Sequence, residues 1–177
     1  MSKPLVAVVM GSDSDWAVMS ECCSTLEELG APWEVAVLSA HRAADKAMEF
    51  ARGAADRGLK VLIAGAGGAA HLAGALAASS HLPVIGVPLD PSGTGGLDAL
   101  LSTVQMPGGV PVATVAVGKA GARNAAILAA QILALSDRTI RRNLLAYRQA
   151  TREAVAERSR RVKKNAEALR KQKRQKK

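Results

Sequence analysis

The chain has 177 residues, 49% of them hydrophobic, enough for one domain with a real core, and this excludes a disordered polymer. Aromatics make up only 2%, so the core has to be Val, Leu, Ile and Ala. The formal charge of +9 is uneven: residues 138–177 hold sixteen Lys/Arg and three Glu, a net +13, whereas residues 1–137 hold eight basic and twelve acidic side chains, a net −4.

An apolar run at residues 5–10 reads as the first strand. Ser14 or Asp15 then caps a helix that runs to about Leu29 and is stopped by Gly30-Ala31-Pro32. A second strand at 33–38 precedes a helix at about 43–57, ended by Gly58. A third strand at 61–64 enters a glycine cluster and a helix near 71–80. A fourth strand, 84–87, leads through the polar loop 90–96 to a short helix near 97–104. After the turn Pro107-Gly108-Gly109 come a fifth strand at 112–117 and a helix at about 122–135. Strands alternating with helices of this length imply right-handed crossovers and a parallel sheet. The fold class is α/β: a three-layer α/β/α sandwich, flavodoxin-like or Rossmann-like, with a long C-terminal helix.

That last helix spans 137–177, with apolar residues at helical spacing as far as about Ala156. Residues 1–156 therefore form a single α/β domain, and 157–177 a basic tail expected to fray, because it has little to bury. A nucleic-acid face normally carries stacking aromatics, and the basic segment 138–177 has only Tyr147, so nucleic acid is not the expected partner. Cys22 and Cys23 are adjacent in a helix and read as two reduced thiols. No apolar stretch approaches a membrane span, and the run at 5–10 is too short for a signal-peptide core. A soluble, cytoplasmic protein is expected.

Three short segments follow strand ends, where ligands bind in open parallel sheets. In Gly11-Ser12-Asp13-Ser14-Asp15-Trp16, Gly11 permits a tight exit. Ser12, Ser14 and the amides at the helix start can bind phosphate or hydroxyls, and Asp15 can accept from a ribose; capping the helix is the plainer use of Ser14 and Asp15. In Ser39-Ala40-His41-Arg42, Arg42 offers a planar fork for phosphate and His41 a general acid or base, though an exposed turn would look the same. In Gly65-Ala66-Gly67-Gly68-Ala69-Ala70-His71-Leu72, side chains almost vanish, which lets a ligand approach the backbone. The glycine spacing there excludes a dinucleotide fingerprint, and the first segment lacks the Gly-Lys-Ser/Thr of a P-loop. Three histidines and two adjacent cysteines give no metal-ligand spacing, and His81 before Pro83 reads as structural.

Taken together with Gly86-Val87-Pro88, Gly96-Leu97-Asp98, Val104-Gln105-Met106-Pro107 and Gly118-Lys119-Ala120-Gly121, these segments resemble the class I N5-carboxyaminoimidazole ribonucleotide mutases of the PurE family, over about residues 4–150. The resemblance implies a flavodoxin-like fold and a homo-octamer with sites shared between subunits. It also implies a reaction without metal, biotin or ATP. The carboxylate leaves the exocyclic nitrogen of the imidazole ribonucleotide and reappears on a ring carbon, giving 4-carboxy-5-aminoimidazole ribonucleotide. Decarboxylation and recarboxylation would occur in one closed pocket. His41 matches the family's catalytic histidine; Gly11, Ser12, Ser14, Asp15, Ser39 and Arg42 match ribose and phosphate positions. Gly67, Gly68, Ala69, His71 and Leu72 match the wall that receives base and carboxylate.

Class II relatives, which carboxylate the imidazole ribonucleotide directly with carbon dioxide, carry a different third segment, so Gly67-Gly68-Ala69-Ala70-His71 favours the mutase. The chain departs from the family pattern at Ala43-Ala44, Ala73, Asp90 to Gly96 and Ala99, and in its basic tail. The alternatives are therefore the direct carboxylase and a diverged nucleotide-binding paralogue. Asp90 adds a negative charge where an anionic ligand is expected.

Overall fold

The computed structural model describes residues 3–91, 93 and 95–175, with backbone only at 167 and 171–175. Its centre is a five-stranded sheet built from β1 (Val6–Met10), β2 (Trp33–Val37), β3 (Val61–Gly67), β4 (Val84–Leu89) and β5 (Ala113–Thr114), in the order β2-β1-β3-β4-β5. Every pairing is parallel. This is the flavodoxin-like order, with its topological switch between β1 and β3.

The strand sequences explain why helices cover both faces. β1 is buried throughout, and successive side chains point to opposite faces. Val6, Val8 and Met10 enter one core with Val61, Ile63, Ile85 and Val87. Ala7 and Val9 enter the other with Leu62, Ala64 and Val84. The first core is closed by α1 (Trp16–Glu28), α5 (Gly118–Leu133) and the start of α6 (Arg138–Gln175). The second is closed by α2 (Ala44–Arg52) and α3 (Leu72–Ser79).

With so few aromatics, packing is done by small residues. Ala122, Ala125, Ala126, Ala129 and Ala130 on α5 are fully buried. A methyl group on Gly121 would strike the carbonyl of Ala116, and one on Gly65 would lie 2.5 Å from the Met19 sulfur. α4 (Leu97–Val104) buries Ala99 and Thr103 over β4 and leaves Leu97, Leu101 and Val104 exposed.

Several boundaries differ from those expected. α2 ends at Arg52, because Gly53 stops it, and turns carry the chain to Gly58. β3 and β4 run on to Gly67 and Leu89, which pair with each other and lift both loops further from the sheet. Only Ala113–Thr114 of the apolar run at 112–117 pairs with β4. α5 begins four residues early, at Gly118, whose φ of +73° turns the chain into the helix.

α6 begins at a side-chain cap, with Asp137 Oδ1 accepting from the amides of Thr139 and Ile140 at 2.8 and 3.0 Å. Ile140 and Leu144 reach the core, and Asn143 Nδ2 donates to the Leu29 carbonyl at the end of α1. Where fraying is expected from Glu157, the structure describes helix to Gln175, with its described side chains exposed. Among the described residues, no helix is long and apolar enough to cross a membrane.

Candidate active site

The switch point delivers three loops to one edge. β2 and β3 both flank β1, so the segments that leave all three strands meet there. The backbone ties them: Gly11 N donates to Gly65 O at 3.2 Å, and Leu38 N donates to Met10 O at 2.8 Å. The result is a cavity of about 360 Å3 lined by Gly11, Ser12, Ser14, Asp15, Ser39, His41, Arg42, Gly67, Ala69, His71 and Leu72. Those are the expected residues save Gly68, which supplies a φ of +60° and turns the wall instead. Ala40, Ala66 and Pro91 also line it. His81 is exposed and lines no part of it.

The first loop is folded on itself. Ser12, not Ser14 or Asp15, is the side-chain cap: its hydroxyl accepts from Ser14 N, and Asp15 Oδ2 accepts from Ser12 N at 3.0 Å. This reciprocal box closes the 3₁₀ turn 13–15 that precedes α1. Ser14 Oγ stands 3.0 Å from Ser12 Oγ, so the two hydroxyls form a pair at the cavity rim. Burial pushes the Asp15 carboxyl above its ordinary value; the amides of Ser12 and Gly11 oppose that, and Asp13 adds to it.

The second loop orients its cation. Ser39 Oγ accepts from Arg42 N at 3.1 Å and from Arg42 Nε at 3.4 Å, and Arg42 Nη2 reaches the Gly11 carbonyl at 3.4 Å. These long contacts hold the guanidinium beside the first loop and leave it donors for an anion.

The third loop brings the histidines together. The amides of Ala70 and His71 donate to Gly68 O and Ala69 O at 2.8 Å each. His71 is then the residue before α3, where its side chain makes no capping bond. Instead its Nδ1 lies 2.8 Å from His41 Nε2, with the rings edge to face at 4.9 Å between centroids. Only one of these nitrogens can hold the proton on the line between them, so the tautomer of each ring sets that of the other. Spacing along the chain gives no hint of this pair, 30 residues apart; strand order creates it.

The departures from the family pattern now have positions. Pro91 covers Gly67 so closely that a methyl group on the glycine would strike its ring. Asp90 Oδ2 accepts from Gly95 N at 3.0 Å, closing its own loop, and lines a neighbouring depression rather than the main cavity. Gly93, Gly95 and Gly96 all have positive φ; Ser92 and Thr94 lie outside the described residues. Ala73 and Ala99 are buried, and Ala43 precedes α2 with no side-chain cap.

A parallel α/β domain with hydroxyls, an arginine and a histidine pair at its switch point defines an enzyme-like site for a small anionic ligand. The chain belongs to the AIR carboxylase family, whose model matches residues 5–154. It is 55% identical to the N5-carboxyaminoimidazole ribonucleotide mutase of Bacillus subtilis over 157 residues, 89% of this chain and 97% of that one. The mutase of Pseudomonas aeruginosa is 60% identical over 129 residues, covering 73% of this chain and 79% of its own. In three dimensions, the crystal structure of Treponema denticola PurE superposes with a TM-score of 0.77 at 29% identity, over 87% of this chain and 95% of that chain.

Proposed function

We propose that this protein is an isomerase that converts N5-carboxyaminoimidazole ribonucleotide to 4-carboxy-5-aminoimidazole ribonucleotide in purine biosynthesis. The observation that carries the reading is convergence: the three segments shared with the mutases line one cavity, in a chain that matches mutases across its whole catalytic body.

The roles are those the family resemblance implies, and the lining of the cavity supports them. Arg42, with Ser12 and Ser14, takes the phosphate; Asp15 and Ser39 take ribose hydroxyls; and the wall from Gly67 to Leu72 holds the base. The bond between the exocyclic nitrogen and its carboxyl carbon breaks, its electron pair stays on nitrogen, and His41 supplies the proton. The carbon dioxide stays in the cavity. The ring carbon attacks it, a carbon–carbon bond forms, and the same imidazole removes the ring proton. Atoms and charge balance with one histidine cycling between two states. His71 is the positioning residue that sets which His41 nitrogen carries the proton. The wall at Gly67 and Ala69 carries no bulky side chain and leaves room for carbon dioxide beside the base.

A homo-octamer, as the family resemblance implies, and a cytoplasmic location are part of the proposal. Exposed Trp16, Val35 and Val37 at the β2 edge, and Leu97, Leu101 and Val104 on α4, support association between copies.

Turnover of N5-carboxyaminoimidazole ribonucleotide, without ATP or bicarbonate, tests the reaction. The imidazole ribonucleotide with dissolved carbon dioxide is the control. Conversion of the first substrate is expected; conversion of the second alone would make the protein a direct carboxylase. His41→Asn should bind ligand and lose turnover, and near-normal turnover would remove His41 from proton transfer.

A further inference from the structure

We propose that the C-terminal arm, residues 157–177, docks on double-stranded DNA through the phosphate backbone, independently of base sequence. This reading does not depend on the catalytic one. The arm holds eleven Lys/Arg and two Glu, a net +9, while residues 1–156 hold thirteen of each sign, so all the net charge of the chain lies in the arm. The family match ends at residue 154, and the last buried side chain among the described residues is Leu144. The arm is therefore an addition to a neutral body that is complete without it.

The structure gives the addition a shape. α6 continues to Gln175, and Arg158, Arg160, Arg161, Lys163, Lys164 and Arg170 are all exposed. Among the described side chains of the segment, one ion pair, Arg160 with Glu157 at 3.1 Å, offsets little of that charge. At 3.6 residues per turn, Arg160, Lys163, Lys164 and Arg170 share a sector of about 120°, opposite the line of Val155, Val162 and Leu169. Arg158 and Arg161 fill one side of the helix between that sector and the line. Cations thus surround most of the helix, and a rod of like charges is favoured by a polyanion that meets it on more than one side.

The choice of polyanion follows from what the arm lacks. Val162 and Leu169 are its only large apolar side chains, too few for a face that inserts into a lipid surface. It has no aromatic to stack on single-stranded bases, but a duplex needs no stacking. A helix about 10–12 Å across fits the major groove of B-form DNA, about 12 Å wide, whereas the major groove of A-form RNA is deep and narrow. In that groove, cations on both sides of the helix meet phosphates of both strands.

Fluorescence anisotropy with a labelled 30-base-pair DNA duplex of mixed sequence tests this on the full-length protein between 50 and 200 mM salt. The logarithm of the affinity should fall linearly with that of salt concentration. The variant R158Q/R160Q/R161Q/K163Q/K164Q should lose tenfold or more in affinity at 50 mM salt. Its slope should be shallower by about 4 to 5, at roughly 0.9 per lost phosphate contact. The variant R158K/R160K/R161K keeps the charge and should bind like the parent, which separates lost charge from a disturbed helix. Absence of saturable binding at 50 mM salt overturns the proposal. So does an unchanged slope in the five-site variant, or equal or tighter binding of an RNA duplex or of phosphatidylserine vesicles.

Discussion

Replacing His71 separates a histidine that positions another from one that merely opens a helix. The side chain is exposed and caps nothing, so His71→Leu should leave the fold within about 0.5 kcal/mol, or about 2 °C in melting temperature. What it removes is the 2.8 Å contact that fixes the tautomer of His41. One such hydrogen bond is worth about 0.5–1.5 kcal/mol net, which corresponds to a loss of roughly 2- to 13-fold in turnover if the productive tautomer depends on it. KM should move less than kcat, because Arg42, the paired serines and Asp15 are untouched and only one residue of the wall that holds the base is changed. His71→Asn puts an amide near the position of Nδ1 and should recover most of kcat. Steady-state kinetics on three proteins, with melting curves alongside, decide the matter. A leucine variant within twofold of the parent in kcat, or asparagine and leucine variants equally impaired, would refute the positioning role.

Two further outcomes follow from Asp15 and from the cysteines. Because burial raises the Asp15 carboxyl, the folded state disfavours its ionised form, and the site subtracts stability at neutral pH. Asp15→Asn should therefore melt no lower than the parent at pH 7. Any gain should shrink as pH falls through the folded value and vanish below the ordinary value of 3.8, while KM for the nucleotide rises; a lower melting temperature at pH 7 would contradict this. Burial pushes the Cys23 thiol up to about 11, and Cys22 higher still, so at pH 8 about one Cys23 in a thousand is thiolate. A disulfide reagent should titrate both thiols in denaturant and neither within minutes in buffer; rapid native labelling would show that α1 opens.

The order of elements is legible because punctuation is dense. Gly30-Ala31-Pro32, Gly58 and Pro83 each stand between a helix and the next strand, where no continuous element could contain them. Errors arise where one signal stands for two things. Gly53 stops α2 as effectively as Gly58 would, and of the apolar run 112–117 only Ala113–Thr114 is strand, although Val115 N also donates to Gly86 O and Val112 and Val115 pack against the cores. In the cavity, the residues were readable from three strand ends. The choice of Ser12 as the cap was hidden, because Ser12, Ser14 and Asp15 are all good capping residues. The contact between His41 and His71 was hidden for a different reason: it depends on β2 and β3 lying on either side of β1. The loop after β4 was visible as a border of the site, but not that Pro91 would seal it against Gly67 while Asp90 turned to Gly95.

Every described residue that lines the cavity lies between Gly11 and Pro91. A ribosome has therefore released the whole of the proposed chemistry by the midpoint of synthesis, but not a surface that could hold it in place. Val6, Val8, Met10, Val61 and Ile63 have only α1 to cover them on one face until α5 arrives, and α5 ends at Leu133. At 5–20 residues per second, those 42 further residues amount to about 2–8 s of translation. For those seconds, a half-made sandwich shows its apolar side to water. The alanine-rich helix that ends this exposure touches no substrate, yet it determines when the site first exists.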